Sequence, residues 1–160
     1  MYKISGFLLL IFAVHCSALG QKIVPGPDDL YSDAMEYMLS GDYHEALYPL
    51  LELESRGFHS AGLCYKLGEC FLNVPGQKLR ALPYLKNAVQ SISNQYQGNT
   101  LDEPVAPPKA LLYLGIAFRL NADFKNALIY LNQYRDHLAA TDIDNIHLAD
   151  YHIERCNNAM

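Results

Sequence analysis

Nothing in this 160-residue chain pairs a nucleophile with a base: it has no Gly-x-Ser-x-Gly elbow, no phosphate-binding glycine loop and no Cys-x-x-Cys. Without them the chain reads as a non-enzyme with no cofactor and no small-molecule substrate. Basic residues are scarce, 12 against 17 acidic ones for a net charge of −5. They form no stripe, so nucleic acid is not an expected partner. Metal-type spacing is also missing. His147 and His152 are five apart, about 140° round a helix, and cannot chelate one ion as an i, i+4 pair could.

Long apolar runs are confined to the start. Residues 7–14 are continuously apolar, preceded by Lys3 and followed by Ala18-Leu19-Gly20. That order reads as a secretory signal peptide over residues 1–20, cleaved before Gln21. The run is too short to span a bilayer, so the mature chain is expected to be periplasmic and not membrane-spanning. Cys16 follows His15, where lipidation would want a small residue. Cleavage removes Lys3 and leaves the mature chain one unit more negative, which favours solubility.

Cysteine is sparse as well: Cys64, Cys70 and Cys156 remain after cleavage. Cys64 and Cys70 lie six apart on one expected helix, too far along its axis for an easy bridge. The odd count leaves open a free thiol, a bridge to Cys156 or an intermolecular pair. The plainer reading is three small hydrophobes in helix contacts.

What is present is a repeat. The chain reads Asp33-Ala34-x-x-Tyr37 … Ala46-x-x-x-Leu50, then Leu67-Gly68-x-x-Phe71 … Ala81-x-x-x-Leu85, then Leu114-Gly115-x-x-Phe118 … Ala127-x-x-x-Leu131. In the third copy Leu111, Leu114, Gly115 and Phe118 share one helical face. Asn121-Ala122-Asp123 breaks that helix, with Asp123 placed to cap the next. Ala127, Leu131 and Tyr134 form the facing stripe. Small residues at Gly115 and Ala127 let two backbones approach closely. The turns of the first two copies are Ser40-Gly41-Asp42 and Asn73-Val74-Pro75-Gly76.

Ala46 and Ala81 are 35 apart, Ala81 and Ala127 46 apart, so about a dozen residues are inserted before the third copy. Gly98, Asn99, Pro104, Pro107 and Pro108 mark residues 91–107 as a loop, expected along one edge. Pro49 and Pro83 fall inside second helices, where a bend or a late helix start is expected. After Thr141-Asp142, the stripe Ile146, Ala149, Ile153 and Cys156 predicts a closing helix over residues 142–159.

The Leu-Gly-x-x-aromatic helix followed by an Ala-x-x-x-large helix resembles the tetratricopeptide repeat. The resemblance implies an all-α, right-handed solenoid of three helical hairpins (near residues 30–58, 61–90 and 108–138) plus the capping helix. The domain would span residues 29–160, after a linker over residues 21–28. Such stacks hold other proteins on a concave face. Residues off the packing stripe of each first helix would line it: Asp28, Tyr31, Met35 and Met38, then Tyr65, Glu69 and Asn73, then Lys109, Leu112, Ile116 and Arg119. The face is mixed, with aromatic and methionine anchors. It lacks the basic clamp of cochaperone repeats, because Lys109 and Arg119 belong to the third copy alone.

Particular stretches carry a closer resemblance. Ala61-Gly-Leu-Cys-Tyr-Lys-Leu-Gly68, Lys78-Leu-Arg-Ala-Leu-Pro-Tyr-Leu-Lys-Asn-Ala-Val89, Asn94-Gln-Tyr-Gln97 with Ala106-Pro107, Tyr113-Leu-Gly-Ile-Ala-Phe118 and Ile153-Glu-Arg-Cys-Asn-Asn-Ala159 are similar to the N-terminal repeats of Bacteroidetes cell-envelope proteins. In that family a WD-repeat-like propeller and an OmpA-like domain follow, and some members serve type IX secretion and gliding. The resemblance implies envelope-protein partners and association with the outer membrane. The chain stops at Met160, where the propeller would begin. Peptidoglycan anchoring therefore does not carry over, and either a stand-alone repeat protein or, by preference, a truncated or split relative is expected. Two functions follow: a non-catalytic periplasmic scaffold, or a structural part of a peptidoglycan-linked secretion or gliding complex.

Overall fold

The computed structural model describes residues 24–160; the expected signal peptide, with His15 and Cys16, lies outside the described residues. The described chain is all-helical. Its helices are α1 (Pro27–Ser40), α2 (Tyr43–Ser55), α3 (Ala61–Asn73), α4 (Ala81–Ala88), α5 (Lys109–Leu120), α6 (Phe124–Asp136) and α7 (Ile143–Asn157), with a 3₁₀ turn over Lys78–Arg80 before α4. An isolated parallel bridge joins Ile92 to Ala106. No helix among the described residues is long and apolar enough to cross a membrane.

Local chemistry sets the boundaries. Pro27 opens α1 with its preset φ, and the Gly26 N–H donates to Asp29 Oδ2 at 3.0 Å. Gly41 ends that helix in the left-handed region, φ 81°. Ser60 caps α3 by accepting from the Leu63 N–H, and Asp123 caps α6 by accepting from the Asn126 N–H at 3.2 Å. Pro83 lies in the first turn of α4, where a missing N–H costs nothing. Pro49 is tolerated within α2, which continues through it to Ser55.

Each helix packs against the next in chain order, and α3 also meets α5. Turns of two or three residues join α1 to α2 and α5 to α6, which makes each pair antiparallel. α3 and α5 are enclosed on nearly every side. Gly68 and Gly115 permit the tight crossings: a Cβ on Gly68 would sit 2.5 Å from Leu85, and one on Gly115 2.6 Å from Leu131. The Ala127 carbonyl oxygen also lies 3.2 Å from that second position. Ala127 is fully buried there, so Ala127→Leu is expected to overpack the crossing by about 1–3 kcal/mol, read as a lower urea midpoint.

The three copies differ in what covers their aromatic residue. Phe71 is buried beneath Tyr84 and the Arg80 guanidinium, and Phe118 stacks on Tyr130 with Lys86 above it. Tyr37 is 40% exposed, beside a shallow hollow between α1 and α2. Among the described residues Cys64, Cys70 and Cys156 are all buried and free, so none of the three bridges another. Burial raises all three thiols, Cys70 to about 12, which keeps them protonated and unreactive at neutral pH.

Candidate interaction cavity

The 91–107 insert does not sit along an edge as its composition predicts. It folds back across α1 and α3, because its apolar residues need cover and the helices offer it. Leu101 and Ala106 are buried. The Tyr31 hydroxyl donates to the Gly98 carbonyl at 3.0 Å, the Ser60 hydroxyl to the Leu101 carbonyl at 2.7 Å, and the Gly62 N–H to the Glu103 carbonyl at 3.1 Å. A Cβ on Gly62 would meet Glu103 at 2.8 Å, so this glycine is what lets the insert lie flat on α3. At the base of the loop the Ala106 N–H donates to the Ser91 carbonyl and the Ser93 N–H to the Ala106 carbonyl.

Ser60 thus serves two ends, capping α3 and holding the insert. Ser60→Ala is expected to cost about 1–2 kcal/mol. Hydrogen exchange should show the Gly62 amide, which donates to the Glu103 carbonyl, opening more readily than in the wild type.

Between α1, α3 and the insert lies an open cavity of about 730 Å³. Its apolar wall is Tyr31, Met35, Met38 and Leu39 of α1 with Tyr43 of α2. Lys66 and Glu69 of α3, Asp28 of α1 and the 98–101 stretch of the insert supply the polar side. Behind that wall Tyr65 stacks on Tyr113 with ring centroids 5.8 Å apart and takes the edge of Tyr96 at 5.7 Å. The Tyr113 hydroxyl donates to Glu69 Oε1 at 3.0 Å. Lys66 Nζ lies 5.7 Å from the Tyr65 ring centre and 6.0 Å from that of Tyr96.

Burial, reinforced by carboxylates, keeps these phenols protonated. Tyr31 is pushed up to about 12 by burial and then by Glu103. Tyr65, Tyr96 and Tyr113 also rise through burial first, with Glu69 contributing to each. They act as hydrogen-bond donors and ring surfaces, not as proton carriers. Among the described residues no group of three or more His, Cys, Asp or Glu could hold a metal ion.

Of the residues expected on the concave face, Asp28, Tyr31, Met35, Met38 and Glu69 surround the cavity, with Tyr31 only 5% exposed and tied to the insert through its hydroxyl. Two expectations are corrected. Leu112 is fully buried, because neighbouring elements cover its side of α5, and it belongs to the core. Tyr65 is only 5% exposed, since Tyr96 of the insert closes over it. Ile116 is half-buried against the same core, and Arg119 is half-buried with an enclosed Nε that has no hydrogen-bond partner among the described residues. Asn73 is exposed and donates to the Glu69 carbonyl, while exposed Lys109 rides on the Tyr113 ring.

Periodicity missed Tyr43, Lys66, Tyr96 and Tyr113. A signal for Tyr96 existed: a connection of this length within a compact domain is uncommon and often functional. No family model matches the chain, and no curated protein matches it.

Proposed function

We propose that the chain is a tetratricopeptide-type right-handed solenoid, with hairpins α1–α2, α3–α4 and α5–α6 and α7 as cap, that works as a non-catalytic scaffold for protein partners. The observation that carries this reading is the open cavity between α1, α3 and the insert, which presents methionine and tyrosine surface beside a carboxylate. Flexible thioethers beside ring faces suit contact with another polypeptide. Because the insert already occupies much of the face, a partner would touch both the first two hairpins and the 98–101 stretch. The signal-like start and the resemblance to Bacteroidetes envelope proteins support a periplasmic setting with envelope-protein partners, either as a free scaffold or within a peptidoglycan-linked complex.

The test is a photo-crosslinking residue at Met38, in the cavity, compared with one at Ile129, an exposed position on α6. Defined envelope-protein adducts from position 38 and none from 129 are expected. Identical products from both positions, or none from 38, would refute the assignment.

A further inference from the structure

We infer that the cavity takes a basic side chain, a lysine or arginine projecting from the partner polypeptide; this deepens the scaffold reading and rests on it. The charge distribution carries the inference. Glu69 presents a carboxylate to the cavity, and Asp28 adds a second. The ion pairs among the described residues join Arg56 to Glu52 and Arg135 to Asp150, and His44 lies beside Glu45, so neither Glu69 nor Asp28 has a cation partner there. Glu69 Oε1 accepts from Tyr113, a neutral donor that orients the carboxylate without cancelling its charge.

Among the described residues Lys66 is the one basic residue of the lining, and its ammonium lies over the Tyr65 and Tyr96 rings and not in an ion pair with Glu69. Aromatic faces of this kind attract cations. Among the described residues two carboxylates stand against one ammonium, which leaves the cavity negative and repels an anionic group. The remaining wall is apolar, made of Met35, Met38, Leu39 and Tyr43. An aliphatic stem ending in a cation matches both halves at once, as such side chains do when they lay their stems on apolar surface. A carboxylate or phosphate group would satisfy neither.

The full chain holds four methionines, and Met35 and Met38 line the cavity while exposed Met160 lies outside it. Isotope-labelled methionine methyl groups therefore report occupancy, with Met160 as internal control. The probes are blocked tripeptides, acetyl-Gly-X-Gly-amide, with X lysine, arginine, norleucine or glutamate. Lysine and arginine peptides are expected to shift Met35 and Met38 and leave Met160 in place. Norleucine, which keeps the stem and drops the charge, should bind about tenfold more weakly, and Glu69→Gln should weaken the lysine peptide by about the same factor. Glu69→Gln keeps an acceptor for Tyr113, and exposed Asp28→Asn is a second variant that disturbs no packing. Equal shifts with norleucine, a preference for glutamate, or no shift with any peptide overturns the proposal. Crosslinking from position 38 that persists alongside any of those outcomes leaves the scaffold reading standing with a different partner chemistry.

Discussion

Replacing Tyr65 with alanine is expected to lower the stability of the chain by about 3–5 kcal/mol, the range for deleting a buried aromatic side chain. The ring is enclosed between Tyr113, which it stacks, and Tyr96, whose edge meets it. Removing it leaves a void beneath the insert and strips two aromatic contacts at once. Tyr96 would lose its seat, and with it part of what holds residues 91–107 on α3. Tyr65→Phe separates the ring from the hydroxyl: it should cost about 1 kcal/mol, since only a hydrogen-bonding group is lost. Urea unfolding of the three proteins checks both values. An unchanged midpoint for Tyr65→Ala would show that the ring is not structural and would return Tyr65 to the docking surface. The expected large loss has a practical consequence. Weakened partner capture by Tyr65→Ala would report a damaged fold, so tests of the cavity belong on Met38, Asp28 and Glu69.

That distinction between core and surface is where the sequence was least informative. Periodicity gives the direction of a side chain around its helix, and it does so well: Leu111, Leu114, Gly115 and Phe118 point one way, and all four are buried. Asp123 could be read as a cap from its place before the helix, and its carboxylate does accept from Asn126. Periodicity cannot say how many neighbours a helix will have. Leu112 points away from the stripe of the third copy and is buried anyway, because other elements cover that side of α5. The fold of the insert was out of reach for a related reason. Its anchors join residues 67 apart (Tyr31 and Gly98) and 41 apart (Ser60 and Leu101), and the Gly98 and Leu101 acceptors are backbone carbonyls that every residue possesses. No local pattern encodes such contacts. The cavity walls on α1 were legible through Tyr31, Met35 and Met38, whereas the remaining side depended on how α3 and the insert meet.

His152 makes the second large prediction, a loss of stability on acidification that resides in α7. The residue falls on the buried side of that helix with Ala149 and Cys156, and its Nδ1 has no hydrogen-bond partner among the described residues. Burial, then the charges of Arg119 on α5 and Arg155 on α7, lower its pKa from 6.5 to about 4. Above pH 6.5 the imidazole is neutral in both folded and unfolded chains and has no effect on the balance. Between pH 6.5 and 4 the unfolded chain binds the proton and the folded chain does not, so stability falls as pH falls. By pH 4 most of the loss is complete, and it amounts to roughly 3 kcal/mol at most. Carboxylates titrate over the lower part of this window as well, so the informative quantity is a difference between two proteins. His152→Leu fills a similar space without a titrating group and should remain flatter than the wild type between pH 6.5 and 5, as read from urea midpoints at each pH. Parallel curves for the two proteins would mean that His152 already reaches solvent or a partner when folded. A steeper wild-type curve would place an acid-sensitive contact at the α5–α7 boundary, built from Arg119, His152 and Arg155, where protonation brings a third positive charge among two others.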